Sequence, residues 1–250
     1  MSTKDKNFRA VLLAGLRWSA LTKGWKALFS VVVIIAMARL LSPGDFGLVA
    51  MASVFTGISL VFIDLGTGAA LIREKNPTKE FISSIFWLNI VLSLLVWLIL
   101  MIIASTVARL YDEEIVQTLI YLLSINVLLS GATITFQALL EKNMRFRPIA
   151  VAQIISQICG STVGITMAFL GYGVWSLVFM AITGQFFYSA IVIIAEKWKP
   201  EITFNVNHIK NIFSFSSYLT LTQLLSHIQR RFEIFIVAYF MGSHLGGVYS

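Results

Sequence analysis

Four cations stand inside long apolar runs of this chain: Lys23, Lys26, Arg230 and Arg231. A charge at mid-membrane depth costs about 2.5–3.5 kcal/mol on insertion scales, so such residues usually face protein or trapped water and mark function. Arginine's planar fork grips phosphate oxygens in pairs, and lysine adds a point charge. With little acid to balance them, the four suit an anionic ligand, phosphate first. Plainer readings stand beside this one. Lys23 and Lys26 lie near one end of their run, where lysines snorkel to the interface. Arg230 and Glu233 are i, i+3 neighbours that can neutralise each other.

The helices that would carry these groups are striped. Ser216, Thr220, Gln223, His227 and Arg230 recur at helical spacing and share one face, with Arg231 at its edge and Glu233 turned away from its centre. His227 reads better as a hydrogen-bonding wall residue than as a proton relay. Ser19, Lys23, Lys26 and Ser30 form a matching stripe, as do Asn126, Ser130, Thr133 and Gln137. Gln153, Gln157, Gly160 and Gly164 combine amides with small residues that let helices approach closely. Striped helices gathered around one volume would enclose a hydrated cavity.

Composition decides the medium. Of 250 residues 58% are hydrophobic and 12% charged, and the mean hydropathy is +0.84. Soluble domains carry about 25% charged residues, so this is a membrane chain. Apolar runs long enough to cross a hydrocarbon core as helix occur at Trp18–Leu40, Phe46–Ile72, Phe81–Ile103, Ile115–Leu140, Ile149–Leu170, Val174–Ala195 and Ile212–Met241. The third is the oiliest and is expected against lipid. The single cysteine, Cys159, allows no disulfide within the chain and no zinc cluster, and reads as a small buried hydrophobe. Ala36-Met37-Ala38 has the pattern of a signal-peptidase site, but the long charged leader before it favours an uncleaved anchor.

Basic residues orient the chain. With the N-terminus in the cytoplasm, the cytoplasmic segments hold thirteen Lys and Arg, and the outer segments only Arg39 and Arg109. That asymmetry accounts for the net charge of +7 without nucleic acid. Asp64 precedes Gly66 and Gly68 near the cytoplasmic end of the second span. Glycine weakens helices, so the site is either an ordinary helix end or a gating hinge in which Asp64 makes and breaks an ion pair.

Two stretches, "ARLLSPGDFGLVAMASVF" and "FIDLGTGAALIREKNPT", together with "GLRWSALTK" and "FIVAYFMGSHLGGVYS", resemble bacterial polysaccharide-biosynthesis exporters. The resemblance is to the oligosaccharidyl-lipid flippase branch of the multidrug and polysaccharide exporter superfamily, and most of all to colanic-acid and teichuronic-acid exporters. It implies an all-α, polytopic membrane helix bundle with a MATE-like N-terminal lobe. It implies a flippase that moves an undecaprenyl-pyrophosphate-linked oligosaccharide across the inner membrane by alternating access for surface polysaccharide synthesis. Its partners would be the lipid-linked oligosaccharide, membrane lipids, a polysaccharide polymerase and other export components, with no cofactor. The family's basic cavity would correspond, by residue type alone, to Lys23, Lys26, Arg230 and Arg231. Many members carry Arg followed closely by Asp or Asn in the seventh span; here Glu233 stands after Arg231.

Such exporters have more spans than this. "ARLLSPGDFGLV" and "AYFMGSHLGGV" correspond weakly, which suggests that the seventh span opens a second repeat. The expected division is a six-helix lobe over residues 1–211 and the first helix of a second lobe over 212–250. Other functions remain in play. A drug–cation antiporter of the same superfamily would favour an acidic cavity. A truncated product would lack transport. An enzyme would need carboxylates or metal ligands near a membrane face, and the acids here are isolated from suitable partners.

Overall fold

The computed structural model describes residues 24–64 and 66–203. These are helical, with no strand among them. Residues 24–40 form α1, followed by α2 (Pro43–Asp64), α3 (Thr67–Arg73), α4 (Lys79–Tyr111), α5 (Ile115–Leu123), α6 (Ile125–Lys142), α7 (Phe146–Phe169) and α8 (Val174–Ala195).

The Ser42-Pro43-Gly44-Asp45 turn starts α2 by a reciprocal cap. The Ser42 hydroxyl accepts from the Asp45 amide at 3.2 Å, and Asp45 Oδ2 accepts from the Ser42 amide at 2.9 Å. Proline follows at the first helical position, where its missing N–H costs nothing. The motif that carries the family resemblance is thus a helix-start device. Met51, Ala52 and Ile63 of α2 then pack on Leu100, Ala104 and Val107 of α4, Val116, Leu119 and Ile120 of α5, and Val174 and Val178 of α8. On the other flank Val33 and Met37 of α1 meet Ala168 of α7 and Leu177 of α8.

Among the described residues, five helical segments are long and apolar enough to cross a membrane. They lie within the second to sixth predicted spans or extend beyond them. The first predicted span is described only over residues 24–40, and Ile212–Met241 lies outside the described residues. Three boundaries differ from expectation. The second span does not run unbroken from Phe46 to Ile72; it stops at Asp64, and Gly66 takes a left-handed conformation at φ 74° before α3 begins. That conformation strains any residue with a Cβ. The third span is longer than Phe81–Ile103. Its last turns, assigned to a connection, stay helical because Val107, Ala108 and Tyr111 are buried. The fourth span is jointed at Ser124, whose hydroxyl donates to the Tyr121 carbonyl at 2.7 Å.

Lipid-facing and protein-facing surfaces separate cleanly on α4. Val91, Leu94, Leu95, Leu98, Ile99 and Ile102 are exposed on one helical face, as expected of a lipid-facing span. The opposite face buries Asn89 and Ser93. Between α7 and α8 the predicted small residues do bring the helices together: a Cβ on Gly160 would lie 2.7 Å from the Met180 carbonyl oxygen.

Candidate functional site

The helix break at Gly66 is held rigidly on one side. Thr67, the first residue of α3, donates its hydroxyl proton to Asn89 Oδ1 at 3.0 Å, and Asn89 Nδ2 donates to Thr135 Oγ1 at 3.3 Å. All three side chains are buried, so α3, α4 and α6 share one polar junction. At the far end of α3, Lys142 Nζ donates to the carbonyls of Leu71 at 3.0 Å and Ile72 at 3.4 Å, and to that of Glu74. A cation there satisfies the last carbonyls of a helix and complements its dipole. α3 is therefore pinned at both ends to the α4–α6 body. Gly66 begins this pinned segment, and Gly68 lies within it; the Asp64 side chain lies outside the described residues. Neither Asn89 nor Lys142 was singled out from the sequence. A lone amide in the oiliest span was the available signal for Asn89; nothing local announced the Lys142 cap.

Replacing Gly66 with alanine is expected to destabilise the folded protein by about 1–2 kcal/mol, since the left-handed conformation gains a Cβ penalty. Gly68→Ala, inside α3, should be near neutral or slightly stabilising. Thermal unfolding of the two variants in detergent separates them; equal shifts would contradict a special role for the break.

The polar stripes converge through α8. Tyr188 donates its hydroxyl proton to Gln137 Oε1 at 2.9 Å, and Gln137 Nε2 donates to Glu141 Oε1 at 2.8 Å. Gln153 of α7 approaches the same tyrosine. Gln157, one turn along, reaches the Lys26 carbonyl of α1 at 3.5 Å. Stripes on α1, α6 and α7 are thus neighbours. Thr133 points inward instead and donates to the Leu129 carbonyl at 2.6 Å. Asn126 buries its Oδ1 without a hydrogen bond among the described residues. Beside the α6 stripe lies an open cavity of about 450 Å³, walled by Leu60, Gly68, Ala69 and Ile72 on one side and by Ser130, Ile134, Gln137 and Glu141 on the other.

Of the four sequence-derived cations only Lys26 is among the described residues, where it is exposed on α1. Lys23, Arg230 and Arg231 lie outside them, as do Ser216, Thr220, Gln223, His227 and Glu233.

The two ends of the bundle differ in charge. At one end Arg145 pairs with Glu196 at 3.1 Å and donates to the Ala195 carbonyl at 3.0 Å. Lys79 stands 3.8 Å from Glu201, whose carbonyl accepts from Trp87 Nε1 at 2.9 Å. Trp198 stacks edgewise on Phe86 and Phe136 and straps the chain after α8 across α4 and α6. The connections α3–α4, α6–α7 and the segment after α8 therefore gather at one basic end. At the other end Asp45 comes close to Gly173, and Arg109, Asp112, Glu113 and Glu114 line an open cleft with Gln117 and Tyr121. No group of three or more His, Cys, Asp or Glu suited to a metal occurs among the described residues.

Apolar exteriors, long antiparallel helices and polar groups held inside define a multi-pass membrane helix bundle. The chain belongs to the polysaccharide biosynthesis protein family, which matches residues 36–250. It is 26% identical over 238 residues to the succinoglycan biosynthesis transport protein ExoT of Rhizobium meliloti, covering 93% of this chain and 47% of that protein. It is 22% identical to the teichuronic acid biosynthesis protein TuaB of Bacillus subtilis, over 96% of this chain and 50% of that protein. Against the lipopolysaccharide biosynthesis protein WzxC of Escherichia coli the identity is 20%, over 100% of this chain and 50% of the relative. The chain spans about half the length of these curated relatives. No solved structure matches it.

Proposed function

We propose that this chain is part of a flippase that carries an undecaprenyl-pyrophosphate-linked oligosaccharide across the bacterial inner membrane by alternating access. The observation that carries the reading is family membership through a relative named as a transport protein for a polysaccharide. Residues 1–211 would form one lobe and 212–250 the first helix of its partner. Lys23, Lys26, Arg230 and Arg231 would hold the pyrophosphate, while the lipid tail stays in the bilayer. Cations sharing one cavity repel, so a bound anion relieves that cost as well as gaining hydrogen bonds. Asp64, Gly66 and Gly68 would form the gate, with α3 as its fixed side because Asn89 and Lys142 tether it. The protein would work as a transporter and not as an enzyme.

The basic end of the bundle would face the cytoplasm, and so would the N-terminus. The exposed residue Asn143 offers a labelling position that leaves the Lys142 cap intact. In a Cys159→Ser background, Asn143→Cys should resist a membrane-impermeant thiol reagent in intact cells and react once the inner membrane is opened. Labelling of intact cells at full rate would reverse the orientation. Reconstitution of the complete coding product that contains this chain, with the lipid-linked repeat unit of the producing strain, tests transport itself.

A further inference from the structure

We infer that the cavity between α3 and α6 is a saccharide subsite, in which Ser130, Gln137 and Glu141 receive hydroxyl groups of the cargo. This deepens the flippase reading and rests on it. Ser130, Gln137 and Glu141 fall at i, i+7 and i+11 on α6 and share one helix face. Gln137 is fixed in orientation, because its Oε1 accepts from Tyr188 and its Nε2 donates to Glu141 Oε1. One amide N–H of Gln137 and Oε2 of Glu141 have no hydrogen-bond partner among the described residues. The Ser130 hydroxyl makes no hydrogen bond among them either, whereas Thr133, one turn on, bonds back to its own helix. Three polar groups thus keep free capacity toward one cavity.

The chemistry of the lining selects the ligand class. A carboxylate oxygen accepts hydroxyl protons, a serine both accepts and donates, and an amide N–H donates. Sugars present all of these complements at close spacing. Leu60, Ala69, Ile72 and Ile134 supply an apolar bed for the C–H face of a ring. The volume of about 450 Å³ lies in the range of small-molecule sites, about 300–1,000 Å³. Glu141 disfavours an anion, so the pyrophosphate belongs elsewhere and this wall takes the neutral part of the cargo. Toward lipid the same groups would be costly, which sets this face toward water or a partner lobe. Gly68 and Ala69 stand on the pinned α3 and keep their distance from α6, whereas Leu60 belongs to α2 before the break, so a change of angle at Gly66 moves Leu60 relative to the rest of the lining.

The test uses the complete coding product in lipid nanodiscs and two probes: the undecaprenyl-pyrophosphate-linked repeat unit extracted from the producing strain, and undecaprenyl pyrophosphate without sugar. The unaltered protein should bind the glycosylated probe more tightly. Glu141→Gln and Ser130→Ala should each weaken binding of that probe roughly three- to tenfold, the scale of one lost hydrogen bond, and leave the bare pyrophosphate unchanged. Ser130→Ala removes only an unbonded hydroxyl, so it guards against misfolding of the Glu141 variant. Equal loss for both probes, or no loss for either, would overturn the subsite while the flippase reading stands. If the unaltered protein binds neither probe, the flippase reading falls and takes the subsite with it.

Discussion

Replacing Gly160 with leucine is expected to separate α7 from α8 and abolish most of the stably folded protein. A Cβ there would lie 2.7 Å from the Met180 carbonyl oxygen and 3.2 Å from the Gly184 Cα and amide nitrogen. These are backbone atoms, which cannot rotate aside as a side chain would. In a bilayer, helices gain nothing from hiding apolar surface from water, so close van der Waals contact carries the association. Overpacking a well-fitted contact costs about 1–3 kcal/mol, and a clash with backbone belongs at the upper end. Gly160→Ala should already lower the unfolding temperature in detergent. Thr162→Leu, on an exposed position of the same helix, should not. An unchanged unfolding temperature for Gly160→Leu would show that the hairpin does not depend on this contact.

Removing Arg230 and Arg231 together should have the largest effect on ligand binding. A hydrogen bond to a charged group contributes about 1.5–3 kcal/mol. Losing two should weaken binding of undecaprenyl pyrophosphate by about a hundredfold or more. Lysine at both positions keeps the charge but not the planar fork, and should recover part of the loss. Affinity should also fall with added salt, since exposed charges are screened. Equal affinity for the double alanine variant and the unaltered protein would leave Arg230 and Glu233 as a structural pair.

How much of this was legible depended on whether the cause was local. Apolar length placed the spans, because a hydrocarbon core demands it. The weakness at Gly66 was also visible, since glycine marks it in any context. What the glycine permits was not: the grip on α3 comes from Asn89 and Thr135, 22 and 46 residues distant across successive hydrogen bonds, and from Lys142, 71 residues from Leu71. The turn at Ser124 was not legible because the apolar run continues through it, and the same serine back-bond at Ser53, Ser93 and Ser156 leaves the helix unbroken. The end of α4 was missed for the converse reason. Arg109 and Tyr111 look like loop residues by polarity, yet Tyr111 is buried and the helix persists. Of the candidate site, periodicity correctly put Gln137 and Gln153 on stripes, and the structure brings both to Tyr188. Glu141 lies four residues beyond Gln137 on the same face, but it read as part of the charged loop that follows.

The most direct test of the account is flipping in sealed proteoliposomes that hold the complete coding product and the lipid-linked repeat unit of the producing strain. The readout is the fraction of sugar open to a membrane-impermeant oxidant over time. The account predicts that folded protein speeds exposure of the inner-leaflet sugar well beyond protein-free vesicles, and that Arg231→Ala slows it. Exposure no faster than in protein-free vesicles, with the protein verified as folded and inserted, would contradict it.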